Sequence, residues 1–129
     1  MRLPDILGIS LQSFSARDLQ GIDKWTAWTP TYSFTTATSL TVTGRFRVVW
    51  RQCFFQVKST GTSLATTAGT DYIALPLTAA GLGGAGVMTN DTTNVAVGTG
   101  HIDVANSRFY PPTQAASGND FIFAGWFEV

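Results

Sequence analysis

The 129-residue chain balances eight basic against eight acidic residues and holds no basic run, which excludes a nucleic-acid binder that works by neutralising phosphates. Only 12% of its residues are charged, so Thr, Ser, Asn and Gln must supply most of the polar surface. With 12% aromatics as well, the composition is that of a single β-domain.

The opening stretch MRLPDILGISLQSF sets Asp5 among apolar residues and lacks a small-residue cleavage site, so it does not read as a secretory signal. No stretch approaches the length of a membrane span, and no membrane partner is expected. Residues 1–24 carry Ile6, Leu7, Ile9, Leu11 and Phe14 among polar neighbours, interrupted by Gly8 and Gly21. Ser15 followed by Asp18 suits a short helical turn over ARDLQ. The segment is expected to be an anchoring arm, because so many large apolar side chains must pack on something.

From residue 25 the pattern is strands. WTAWTPTYSF begins it, and Pro30 limits that strand to an edge or a bulge. SLTVTGRFRVVW alternates, with Leu40, Val42, Phe46, Val48 and Trp50 expected on one face and Thr41, Thr43, Arg45, Arg47 and Val49 on the other. CFFQVKST follows after a tight hairpin around Trp50 to Gln52 that has neither Gly nor Asn. Cys53, the lone cysteine, reads as a small buried hydrophobe. DYIALPL, AGVMT, NVAVG, HIDV and SRFY come next, separated by the turn-rich stretches STGTSLATTAGT, TAAGLGGAG, TNDTTN and PPTQAASGN. The last strand, FIFAGWFEV, puts Phe121, Phe123, Gly125, Phe127 and Val129 on one face and Ile122, Ala124, Trp126 and Glu128 on the other. The first face fills a core, and the second is too apolar for water. The expected fold is all-β: an antiparallel β-sandwich of jelly-roll type over residues 25–129, preceded by the arm.

Few residues carry a signal of chemistry. GLGGAG (residues 81–86) matches a dinucleotide fingerprint in letters, but turn and strand follow it where a helix is required. His101 and Asp103 share a strand face, yet no G-x-S-x-G elbow supplies a nucleophile. The carboxylates are scattered, and none forms a calcium loop. Trp25, Trp28, Trp50 and Trp126 read as core or subunit-interface aromatics before they read as a sugar platform. No cofactor, metal ion or catalytic residue is expected.

In order and spacing, WTPTYSF, GRFRVVWRQCFFQVKSTGTS, YIALPL and FIFAGWFEV resemble the small β-sandwich modules of tailed-bacteriophage virions. Such modules occur in tail fibres, baseplate receptor-binding proteins, head fibres and capsid decorations. Trp28, Thr29 and Pro30 match the opening of the pattern, and Gly44, Arg45 and Phe46 its second element. Leu75 and Pro76 match its L-P segment, and Gly125, Trp126 and Phe127 its ending. The chain departs at the hairpin, where Trp50 and Arg51 stand in place of Gly-Asn.

The resemblance spans residues 25–129 and implies a homotrimer packed about a three-fold axis, with Ile122, Ala124 and Trp126 at the subunit interface. It implies a non-enzymatic virion protein, assembled in the host cytoplasm; residues 1–24 lie outside the resemblance, and it is their own apolar side chains, Ile6, Leu7, Ile9, Leu11 and Phe14, that are expected to dock the protein on capsid or tail proteins. A short fibre or capsid decoration is the favoured form, since a receptor-binding tip is expected to join a long shaft. The alternative is a tip that recognises bacterial surface glycans through loops around Gly81 to Gly86 and Pro111 to Asn119. A polysaccharide hydrolase or lyase would need the paired carboxylates that this chain lacks.

Overall fold

The alternation along FIFAGWFEV organises the whole molecule. The computed structural model describes residues 24–129, which form β-strands and no helix. The arm residues Ile6, Leu7, Ile9, Leu11 and Phe14, and the turn expected over ARDLQ, lie outside the described residues.

Three long strands make the centre: β4 (Thr41–Val49), β5 (Gln52–Thr60) and β12 (Phe121–Glu128). Around them stand β1 (Thr26–Trp28), β2 (Tyr32–Ser33), β7 (Tyr72–Ala74), β8 (Gly84–Asn90), β9 (Val95–Asp103) and β10 (Arg108–Tyr110). These nine strands form one sheet in the order β1-β4-β5-β12-β8-β9-β10-β7-β2. Three short strands, β3 (Thr36–Thr38), β6 (Ser63–Thr66) and β11 (Gln114–Ser117), form a second sheet in the order β11-β6-β3. Every strand pair is antiparallel.

The two edges of the nine-stranded sheet, β1 and β2, are joined only through Thr29, Pro30 and Thr31. So short a link spans at most roughly 14 Å when fully extended. The sheet must therefore curl until its edges nearly meet, which stacks its halves about 10 Å apart, as in a β-sandwich. The all-β, sandwich-like fold read from the sequence is the fold observed. Pro30 sits where an edge tolerates it, with no neighbour waiting for its missing N–H.

The inner face is almost wholly apolar. Phe123 on β12 pairs with Val57 on β5 and Met88 on β8, and Phe127 with Cys53 and Gly84. Phe121, Phe123 and Phe127 are completely buried. Full burial of each such ring contributes roughly 1.5–3 kcal/mol. From the opposite layer Phe109 on β10 reaches in to meet Phe55 at 5.6 Å and Phe123 at 6.5 Å between ring centroids. Its ring lies over Gly86 and Gly100, and a Cβ on either glycine would collide with it. Two glycines paired across β8 and β9 thus make the hollow that lets the layers close.

Where the chain crosses from one sheet to the other, Asp71 holds the corner. The carboxylate is buried and its Oδ2 accepts from Thr35 N at 2.7 Å, Thr35 Oγ1 at 2.6 Å and Thr67 N at 2.8 Å. Thr35 lies between β2 and β3 and Thr67 between β6 and β7, so one side chain ties both crossings.

Some expectations need correction. Trp50 does not share the inner face with Val42, Phe46 and Val48; it occupies the β4–β5 turn, 90% exposed, with φ of 58°. That left-handed conformation is the one a turn glycine would favour, so the pairing of the hairpin holds although its turn residue is unusual. NVAVG and HIDV are not two strands but one, β9, running through an irregularity opposite Met88 and Thr89. The turn-rich stretches at residues 59–70 and 111–119 contain β6 and β11.

Candidate functional site

The face of β12 turned away from the core carries Ile122, Ala124 and Trp126. Register fixes their neighbours. Trp126 stands between Phe54 on β5 and Ala85 on β8, Ala124 between Gln56 and Val87, and Ile122 between Lys58 and Thr89. In the single chain this face meets solvent: Ala85 and Val87 are exposed, while Phe54, Ile122, Ala124 and Trp126 are half-buried. The result is a contiguous apolar band across three neighbouring strands.

Cations border the band on its β4 side. Arg45 and Arg47 stack over Trp25, with guanidinium carbons 4.7 and 5.0 Å from the ring centroid. Arg47 also reaches the Phe54 ring at 5.5 Å. Trp25 therefore lies on the outer face, and residue 24 leaves the described structure beside the band. Arg45 Nε donates to Gln56 Oε1 at 2.8 Å. An open groove of about 440 Å³ runs between Ala27, Thr43 and Ile122. At its far end Lys58 pairs with Asp91 at 3.1 Å and lies 3.9 Å from Asp120.

A second cluster stands further along the curled sheet. Tyr110 on β10 pairs with His101 on β9, and Arg108 with Asp103 on one side and with Ala74 on the other. Arg108 lies over the Tyr72 ring at 3.9 Å, and Tyr72 meets Tyr110 edge-on at 6.1 Å. The hydrogen bond to the Tyr110 side chain holds the Arg108 guanidinium protonated above its ordinary range. Asp103 accepts from Asn106 Nδ2 at 2.8 Å and from Asn106 N at 3.3 Å. The side-chain bond from Asn106 is the main reason its carboxyl is held below the usual range; the nearby His101 adds a smaller contribution. An open groove of about 470 Å³ lies beside this cluster, walled by Tyr110 and His101.

Of the residues that stand out in the sequence, Ile122, Ala124 and Trp126 are together on one open face, joined by Phe54 and Val87. His101 and Asp103 share a face of β9, and Tyr110 stands opposite His101. GLGGAG is a turn whose second half, from Gly84, is already strand β8. Gly81 and Gly83 take φ of 62° and 89°, which turns Leu82 outward to 98% exposure. Among the described residues no three His, Cys, Asp or Glu side chains converge. The Tyr72–Arg108–Tyr110 cluster escapes sequence reading because Tyr72 and Arg108 lie 36 positions apart and meet only through the β7–β10 pairing. Arg108 and Tyr110 at alternate positions of SRFY are the one local sign of it.

Comparison with protein-family models, curated proteins and solved structures finds no match for this chain.

Proposed function

We propose that the chain is a non-enzymatic structural protein of a tailed-bacteriophage virion, a short trimeric fibre or capsid decoration exposed on the particle. The observation that carries the oligomer is the outer face of β12. A sheet whose inner face is already filled by Phe55, Phe123 and Phe127 presents Phe54, Val87, Ile122, Ala124 and Trp126 to solvent on the other side. A contiguous apolar patch flanked by arginines has the make-up of a subunit interface. The virion setting and the three-fold symmetry rest on the sequence resemblance over residues 25–129.

In this reading Ile6, Leu7, Ile9, Leu11 and Phe14 dock on another virion protein, and the β-domain supplies the exposed body. Each of those side chains gains roughly 1.5–3 kcal/mol from full burial, so five together anchor firmly. Removing residues 1–22 tests the division of labour. The shortened chain should remain a folded, trimeric β-domain by circular dichroism and sedimentation, and should disappear from purified particles viewed by electron microscopy. Normal occupancy without the arm would place the anchor elsewhere.

A further inference from the structure

The end of the domain where β12 finishes carries two apolar tips. Trp50 stands in the β4–β5 turn at 90% exposure, and Leu82 in the turn before β8 at 98%. Both turns are bonded to the end of β12. Val129 N donates to Arg51 O at 2.9 Å, and Glu128 N donates to Gly83 O at 3.0 Å. Leu82 N also donates to Glu128 Oε2 at 3.4 Å. The tips therefore flank one strand end, at β5 and β8 on either side of β12, strands about 10 Å apart. Trp50 is held there at φ of 58°, a left-handed conformation that a bulky side chain disfavours. Neither side chain is buried by the described residues. Two large apolar tips mounted this close together form a surface that needs a cover.

The chain itself brings a cover to this end. β1 runs antiparallel to β4, with Trp28 opposite Gly44 and Thr26 opposite Phe46. Followed backwards from Thr26, the chain moves along β4 towards Val49 and the Trp50 turn. Trp25 continues that course, its ring beside Arg47 as well as Arg45. Residues 1–23 therefore join the domain from this end, and Trp50 lies only about 13 Å along β4 from Phe46. The arm spans at most roughly 80 Å, and it carries Ile6, Leu7, Ile9, Leu11 and Phe14. Its attachment sets it beside the tips at an effective concentration on the order of millimolar, ahead of any free partner. We infer that residues 1–23 cover the Trp50–Leu82 end of their own domain in the free chain, with apolar side chains of the arm seated on the two tips. Docking on a partner then exchanges one apolar contact for another. The inference concerns the chain before it meets any partner, so it does not depend on the virion reading, whose test is particle occupancy.

Disulfide trapping in the full chain tests it; Cys53 is buried and takes no part. Leu82→Cys is combined in turn with Ile6→Cys, Leu7→Cys, Ile9→Cys, Leu11→Cys and Phe14→Cys. A bond closes only where two Cα atoms approach within about 7 Å. Val95→Cys is the control: Val95 is apolar and 58% exposed, but it pairs with Asn90 at the other end of β8. That position is about 25 Å from Leu82 and within the extended reach of the arm. At least one arm cysteine should close with Leu82→Cys roughly tenfold faster than with Val95→Cys, at the 13.8 kDa mass of a single chain. Trp50→Gly supplies the residue its turn favours, and should slow that closure several-fold while circular dichroism shows the fold kept. Equal rates at the two positions, or closure untouched by Trp50→Gly, would overturn the inference. Bonds found only at twice the chain mass would assign the cover to a second copy's arm and equally overturn it.

Discussion

Gly86→Ala tests why the sheet can close on itself. An alanine Cβ at this position would stand 2.5 Å from Cε1 of Phe109, 3.0 Å from Cδ1 and 3.2 Å from Cζ. The ring has no room to retreat, because Phe55 and Phe123 pack against it at 5.6 and 6.5 Å. Overpacking of this kind costs about 1–3 kcal/mol. Alanine also restricts the unfolded chain, which returns about 0.4–1 kcal/mol at an ordinary strand conformation. The net loss should therefore be about 1–2 kcal/mol. Phe109→Leu alone also destabilises, by about 1–3 kcal/mol, since it removes ring atoms from a full core. Together the two changes relieve one another, so Gly86→Ala should be neutral or better beside Leu at position 109. Urea unfolding at one fixed protomer concentration measures all four corners of the cycle. The expected coupling is about 1–2 kcal/mol in favour of the double variant. Additivity within about 0.5 kcal/mol would refute the view that Gly86 exists to seat Phe109.

Asp71→Ala should destabilise the domain by about 3 kcal/mol in the same assay, because it leaves the N–H groups of Thr35 and Thr67 without their acceptor. A loss under about 1 kcal/mol would mean that the corner holds without it. Burial raises the Cys53 thiol to about 11, so native protein should resist thiol reagents until it unfolds. The thiol favours the folded state fully below its unfolded value of 9.0, and that advantage is lost as pH climbs from there through about 11. Comparing wild type with Cys53→Val across that range isolates the effect, and identical pH profiles would contradict it.

The large strands were legible in the sequence because their burial is one-sided and alternates with period two. In β12 the buried residues Phe121, Phe123 and Phe127 fall on every second position, and β5 repeats the pattern with Cys53, Phe55 and Val57. The small sheet was not legible, for two reasons. Strands β3 and β11 contain only Thr, Ala, Ser and Gln, which lack the apolar mark of a strand. In β6, Leu64, Ala65 and Thr66 are all buried in succession, so no alternation survives. Trp50 was misplaced because the alternation of β4 runs straight into the turn, and periodicity alone does not mark where a hairpin folds over. The apolar band was half legible. Ile122, Ala124 and Trp126 follow from β12 itself, whereas Phe54 and Val87 join them only through the strand order β5-β12-β8. The Arg108 cluster depends on the same long-range pairing.

The central claim is that the outer face of β12 is covered by neighbouring copies of the chain. Analytical ultracentrifugation at low micromolar concentration tests it most directly, on the wild type and on Trp126→Asp. The wild type should sediment at three times the 13.8 kDa chain mass. Trp126→Asp places a charge at the centre of the band without entering the core, and should sediment as a folded monomer. A wild-type monomer, or a trimer untouched by Trp126→Asp, would contradict the account.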